Sequence, residues 1–394
     1  MKILERLFAL LGSYGLACLL LLNLFLLTWF GTLHQVEKGL YEAQRLYFES
    51  WFVVESYPVP HALPGGVLCM GLLAVNLFVG GLVRIQKKKR TIGVLIVHVG
   101  IALLLASGFV KLYHSDDGVL RLYEGESSDE YVDPRRWEVA VWDTSQTGPV
   151  EEHLIGNDQL VELVDGRKRT FTSPELPFDL ELSKFLPNCE PMPKGPMWTA
   201  DSLVVGGYAF KAQPYNPEDD GPPNIAGLSA VFRSRDGSTT QEDLLWGFEY
   251  HPATFEAGGK TWGVSLRRTR YSMPYRIRLE DFRKVDHPGM TLARSFESDI
   301  TRIDGSGERK VRIQMNEPLR EGGLVLFQSS YGPQGNERDP RQYSVFSVVR
   351  NPSDHWPLYA CIVIAIGLAL ALIPKLLKFV RAQNEARAKP QVST

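Results

Sequence analysis

Four long apolar stretches, parted by short polar links and one very long polar block, dominate the pattern of this chain. They run over Leu7–Leu33, Gly65–Val83, Thr91–Val110 and Trp356–Pro374. Each supplies the ~20 apolar residues that a helix rising ~1.5 Å per residue needs to cross a ~30 Å hydrocarbon layer. The first exceeds the ~7–15-residue apolar region of a signal peptide and lacks a small-x-small cleavage site, so it is read as retained. Between the first two stretches, Val36, Leu40, Ala43 and Tyr47 recur at helical spacing, with Glu37, Lys38, Glu42, Arg45 and Glu49 on the other side. This predicts an amphipathic helix, either lying in the outer interface or packed on the outer domain, ended by Pro58, Pro60 and Pro64.

The long polar block reads as β structure. Apolar and polar residues alternate near Val119, Trp137, Phe178, Leu228, Lys260 and Tyr343, and Asp236-Gly237, Gly258-Gly259 and Asp304-Gly305 suit tight turns between strands. An antiparallel sandwich or open barrel is expected. The Pro-rich stretches Pro187–Pro196 and Pro214–Pro223 are expected to be loops that divide two β subdomains.

Charge adds orientation rather than a partner. With 43 Lys and Arg against 45 Asp and Glu, the 394-residue chain is nearly neutral, which argues against nucleic acid as a target. The basic residues cluster, however: Lys2 and Arg6; Arg84, Lys87, Lys88, Lys89 and Arg90; and Lys375, Lys378, Arg381, Arg387 and Lys389. If the spans alternate, all three clusters fall on one side, which places both termini in the cytoplasm. The resulting map is a first transmembrane helix within 1–33, an outer loop 34–64, a second helix 65–86, a basic cytoplasmic link 87–90, a third helix 91–112, an outer β domain 113–355, a fourth helix 356–374 and a cytoplasmic tail 375–394. The fold class is therefore a membrane protein with four transmembrane α-helices and a large extracytoplasmic all-β domain inserted between the third and fourth. Of the four cysteines, Cys18, Cys69 and Cys361 fall in spans and only Cys189 outside, so neither an outer internal disulfide nor a thiolate zinc site is expected.

One residue brings chemistry into this picture. His98 is the single ionisable side chain between Thr91 and Val110, roughly 10 Å into its span from the cytoplasmic end. At that depth the neutral imidazole is favoured, and its lone pair suits an axial position on haem iron or another metal. A packing histidine bonded to a neighbouring helix is the competing reading. Gly93, Gly100 and the Ala106–Gly108 cluster permit close approach of a helix or a flat macrocycle. His34, His61, His114 and His355 each fall at the outer end of a span, either as an outer ligand set or as ordinary interfacial residues. His153, His251 and His287 lack ligand-like spacing. No hydrolase, P-loop or zinc-protease motif occurs.

Several stretches resemble the ResB/CcsB family of cytochrome c biogenesis proteins, the System II pathway. They are VRIQMNEPLREGGLVLFQSSYGP from Val311, LEDFRKVDHPGMTLARSFESDITRID before it, YSVFSVVRNPSDHWPLYACIVIAIGL leading into the last span, and GTLHQVEKGLYEAQRLYFESW after the first. Asn316, Glu317 and Pro318 and the Gly322-Gly323 pair read as turns bracketing strands that run back towards the membrane, with Gln328–Tyr331 near the base of the outer domain, either as a structural hairpin or in direct contact with haem or substrate. The resemblance implies a bacterial inner (cytoplasmic) membrane with the large domain on the periplasmic side. It also implies a ResC/CcsA-type partner, haem b carried across the bilayer, and thioether attachment to the C-x-x-C-H motif of apocytochrome c. On this basis His98 becomes one axial ligand of haem iron, the partner lending the other. The chain would then be a non-catalytic or co-catalytic subunit of a holocytochrome c synthase. A membrane-anchored scaffold that recruits clients without a cofactor is the alternative, and a stable b-type haem subunit a third reading.

Overall fold

The computed structural model describes residues 2–56, 59–88, 91–145, 148, 150–195, 203–216, 223–290, 293–333 and 340–388. Lys89, Arg90 and Lys389 of the basic clusters, Pro58, and Pro196, Pro217 and Pro222 of the Pro-rich stretches lie outside these. The chain divides into two compact units, Met1–Ser115 with Asn351–Thr394, and Asp116–Arg350.

The first unit is helical. It contains α1 (Lys2–Leu11), α2 (Tyr14–Lys38), α3 (Leu40–Ala43), α4 (Gly66–Asn76), α5 (Ile92–His114) and α6 (Trp356–Ala388). Two π-helical stretches extend α3 over Gln44–Phe48 and α4 over Leu77–Val83. Among the described residues, four helices are long and apolar enough to cross a membrane: Tyr14–Lys38, Gly66–Val83, Ile92–His114 and Trp356–Glu385.

Local chemistry moves several of the expected ends. The first apolar stretch is two helices, because extended Ser13 accepts the Leu16 amide on its hydroxyl at 3.2 Å and starts a new helix inside the run. That helix continues past His34 to Lys38, where Gly39 at φ 86° stops it. In place of a long amphipathic helix, only α3 and its π turn remain, followed by an antiparallel hairpin pairing Phe52–Glu55 with His61–Pro64. Phe52, Val53 and Val54 favour that strand through their branched or aromatic side chains. At the other end, α6 carries Pro374 inside it and runs to Ala388, so most of the basic tail is helix.

Small residues bring α5 and α6 into backbone contact. A Cβ on Gly93 would lie 2.6 Å from the Ala371 nitrogen, and one on Gly367 2.7 Å from the Val97 nitrogen. Without a hydrophobic driving force inside lipid, such close packing is what holds two spans together. Farther along, the Ser353 hydroxyl donates to the Ser107 carbonyl at 3.0 Å and the Ser107 hydroxyl returns the bond at 3.4 Å.

The second unit is antiparallel β throughout its ladders. Its main sheet runs in the order Gly307–Gln314, Ala293–Asp304, Lys260–Asp286, Ser127–Asp143, Asp116–Tyr123, Tyr343–Arg350, Leu324–Gly332, Leu319–Glu321. Gly307–Gln314 lies against the last two strands of that order, so the sheet curls into an open barrel. Leu122, Tyr131, Ile277, Leu279, Ile313, Leu326 and Phe346 fill it. A second sheet, ordered Thr240–Trp246, Gly227–Ser234, Phe178–Leu186, Lys168–Phe171, shares a separate core with the far halves of the two longest strands. Phe178, Phe232, Phe255, Trp262 and Val264 are buried there.

Sandwich and barrel thus coexist, and the Pro-rich stretches do not divide them. Pro187–Pro196 is not a loop: it supplies the strand Cys189–Pro193, paired in a hairpin with Tyr208–Ala212, and Cys189 and Phe210 of that hairpin press on Gly227 of the second sheet. The two cores part instead at a bulge, where the register jumps from Arg268 opposite Trp137 to Arg270 opposite Val132. Asp133 Oδ1 accepts the Arg135 and Arg136 amides at 2.8 and 3.1 Å and fixes the bulge. Beside it, the Arg268 guanidinium lies 3.9 Å over the Trp137 ring and donates to the Asn224 carbonyl at 2.6 Å; burial brings its pKa down to about 10.

Candidate functional site

His98 sits in the second turn of α5, about 9 Å from its start at ~1.5 Å per residue. Its Nδ1 is 2.7 Å from the Val94 carbonyl oxygen one turn back. A carbonyl only accepts, so the proton resides on Nδ1 and the lone pair on Nε2. Among the described residues Nε2 has no hydrogen-bond partner, and the side chain is half-buried. Helical rotation puts the ring roughly 140° from Gly93 and 160° from Gly100, away from the face that meets α6. The ring lies instead on the π-helical stretch after α4. A Cβ on Gly81 would fall 2.6 Å from His98 Cδ2 and 3.2 Å from Nε2.

The other histidines separate into kinds. His34 and His61 converge on Tyr47. The Tyr47 hydroxyl donates to His61 Nε2 at 3.1 Å, while His61 Nδ1 donates to the Val59 carbonyl at 2.8 Å and the ring stacks on Phe30 at 4.2 Å. His34 stands edge-on to Tyr47 at 5.6 Å and is 2% exposed. Neither of its ring nitrogens has a hydrogen-bond partner among the described residues. Burial, then the Glu55 carboxylate, push the Tyr47 hydroxyl above its ordinary pKa. His114 ends α5 exposed, and His355, also exposed, stands 3.7 Å from Asp354 at the start of α6. His153 meets Glu175 at 3.4 Å. Among the described residues no three His, Cys, Asp or Glu side chains gather as a metal site.

In the β unit, an open concavity of about 610 Å³ is lined by Glu280, Asp281, Asp299, Ile300, Lys310, Val311 and Arg312. Its central charges are paired: Arg312 meets Asp299 at 2.8 Å, and the neighbouring Arg283 bonds Asp299 at 2.7 Å and Glu297 at 2.8 Å. Hydrogen bonding by Arg312 first, then Arg283, holds the Asp299 carboxyl below its usual pKa. The stretch Val311–Pro333 is equally consumed by structure. Asn316 at φ 68° and Gly322 and Gly323 at 59° and 76° make its turns. Gln328 bonds the buried hydroxyls of Ser298 and Ser344 at 2.6 Å each.

The apolar run around His98 singles that residue out without revealing where its ring rests. The Gly80-Gly81 pair inside an apolar helix was the available signal, since paired glycines at such a place mark a close approach. Likewise, the position of His34 at the end of an apolar stretch hid its burial beside Tyr47. No curated protein matches this chain. The family model described as ResB-like matches residues 87–339, which takes in α5 with His98 and nearly all of the β unit. On that match, over more than half its length, the chain belongs to the ResB-like family.

Proposed function

We propose that this chain handles haem for the completion of c-type cytochromes, with His98 Nε2 as one axial ligand of a haem carried through the membrane. The single observation behind this is the state of that imidazole: a proton held on Nδ1 by the Val94 carbonyl, and a half-buried Nε2 without a hydrogen-bond partner among the described residues, in an apolar helix long enough to span a membrane. A metal-ligating histidine needs that arrangement, because the second nitrogen's bond fixes tautomer and ring orientation. The ResB-like family is associated with cytochrome c biogenesis, which supplies the identity of the cargo.

In this reading the basic clusters keep both termini in the cytoplasm of a bacterial inner membrane, and the β unit, inserted between α5 and α6, stands on the periplasmic side. His98 then lies in the cytoplasmic half, where haem b would be taken up. One imidazole covers one axial face, so a ResC/CcsA-type partner lends the second ligand. The β unit scaffolds partner and apocytochrome c, whose C-x-x-C-H cysteines receive the haem vinyl groups as thioethers. The chain's own part is to bind and orient the iron, not to supply an acid, base or nucleophile.

The test is the haem absorption of the chain purified together with its partner. The Soret band is expected to weaken in His98→Ala and to recover with added imidazole. An unchanged band in that variant removes the ligand assignment, and a pair isolated without porphyrin reduces the chain to an anchored scaffold.

A further inference from the structure

We infer that Gly81 and the π-helical turn carrying it position the His98 imidazole, and that Asn76 ties this turn to the break in the first apolar stretch. The claim about ligand function rests on the reading above, whereas the seating rests on geometry alone. Three observations carry it.

The first is contact. His98 is held between its own helix, through Nδ1 and the Val94 carbonyl at 2.7 Å, and the bare backbone of Gly81. A methyl group at Gly81 would stand 2.6 Å from Cδ2 and 3.0 Å from Cγ, closer than van der Waals packing permits, so the ring would have to swing. A ring that swings loses the Val94 bond, and with it the single tautomer. By contrast, a Cβ on Gly71, in the same spanning helix, meets nothing within 4 Å. Glycine is required at one of these two positions and merely tolerated at the other.

The second is the π geometry itself. The Arg84 amide reaches back five residues to the Val79 carbonyl at 3.0 Å, widening the helix where Gly80 and Gly81 occur. Inserted π turns are recurrent at functional sites because they re-aim a short piece of helix. Here the turn presents Gly81 to His98 and Gly80 to the opposite neighbour.

That neighbour is the third observation. A Cβ on Gly80 would lie 2.8 Å from the Gly12 carbonyl oxygen, in the gap between α1 and α2. Carbonyls freed at a helix break inside an apolar layer need donors. Asn76 supplies one, its side-chain amide donating to the Leu11 carbonyl at 2.6 Å, and it also reaches, at 3.0 Å, the Ser13 carbonyl that accepts the Ala17 amide; Arg84 adds a bond to the Ala9 carbonyl at 3.2 Å. Helix break, π turn and imidazole form one connected device, in which Gly81 and Asn76 are positioning residues and His98 alone would touch iron.

The decisive experiment uses the full chain in lipid nanodiscs with ¹⁵N-labelled histidine, the His98 signals being assigned by their loss in His98→Gln. Wild type is expected to show one neutral tautomer, protonated at Nδ1. Gly81→Ala should split or shift those signals, Asn76→Ala should do so to a smaller extent, and Gly71→Ala should leave them unchanged. Coincidence of the Gly81→Ala signals with wild type overturns the seating; if that variant fails to fold, wild-type signals in Asn76→Ala overturn it equally. A parallel measurement of ferric haem retained with the partner separates the two claims. Several-fold loss in Gly81→Ala, restored by imidazole, supports positioning of a ligand. Loss in His98→Ala without loss in Gly81→Ala overturns positioning while the ligand reading stands.

Discussion

Replacing His34 by Phe should make the protein more stable, although the residue looks polar and functional from its sequence. The imidazole is 2% exposed, with both ring nitrogens lacking hydrogen-bond partners among the described residues. A neutral imidazole always carries one donor and one acceptor, and each buried unsatisfied group costs about 1–3 kcal/mol. Phe removes both while keeping the edge-on ring contact with Tyr47 at 5.6 Å, an aromatic pairing worth about 0.5–1.5 kcal/mol. Some of the gain is lost to the larger ring in a site that is 2% exposed and already closed by Tyr47, where overpacking costs about 1–3 kcal/mol. With two groups relieved and one strain term against them, the net is a stabilisation of about 1–2 kcal/mol. Thermal unfolding of the full chain in a mild detergent, followed by circular dichroism, should give a raised midpoint for His34→Phe and a lowered one for His34→Ala. A lowered midpoint in His34→Phe would refute the reasoning, because it would mean that the imidazole nitrogens are engaged.

Other outcomes follow from the β unit. Hydrogen bonds from Lys260, then from Ser145, bring the Asp143 carboxyl down to about 2 from an unfolded value near ~3.9. Its contribution to stability is therefore present above that unfolded value and disappears as pH falls toward 2. Unfolding curves of wild type and Asp143→Asn should accordingly differ at neutral pH and converge in acid; a constant gap would contradict the pairing. Gly247→Ala would place a Cβ 2.1 Å from Trp137 Cζ3 and should destabilise the second core by about 1–3 kcal/mol, seen as a lower unfolding midpoint. Burial, then Glu190, push the Cys189 thiol up to about 12, so in a variant lacking the other three cysteines maleimide should label it only after unfolding. Rapid labelling of the folded protein would show that this hairpin opens.

The parts of this fold that depend on residue type over long windows were legible. Apolar run length located four spans, and alternation with glycine turns located the strands: Gly237, Gly258 and Gly259 all adopt the left-handed backbone their turns require. What stayed hidden depends on single residues competing with those averages. Ser13 caps a helix within an apolar run, and Gly39 and the Phe52–Val54 triplet replace an amphipathic helix with a hairpin. The bulge at Asp133 divides the cores where proline-rich stretches had suggested a different boundary. His98 could be singled out because an ionisable group in an apolar layer is costly wherever it points. Its seat could not, since a π turn has no periodicity of its own and the Gly81 contact joins residues on two different spans. For His34 the sequence gives the end of a span, whereas burial there is decided by Tyr47, which reaches it only because the π turn Gln44–Phe48 follows.

The most direct measurement of the proposed function is electron paramagnetic resonance of ferric haem supplied to this chain together with the proposed ResC/CcsA-type partner, comparing wild type with His98→Cys. Axial ligation by His98 predicts that the substitution changes the g-values from a two-imidazole pattern to one with a sulfur ligand. Identical spectra from the two proteins would contradict it.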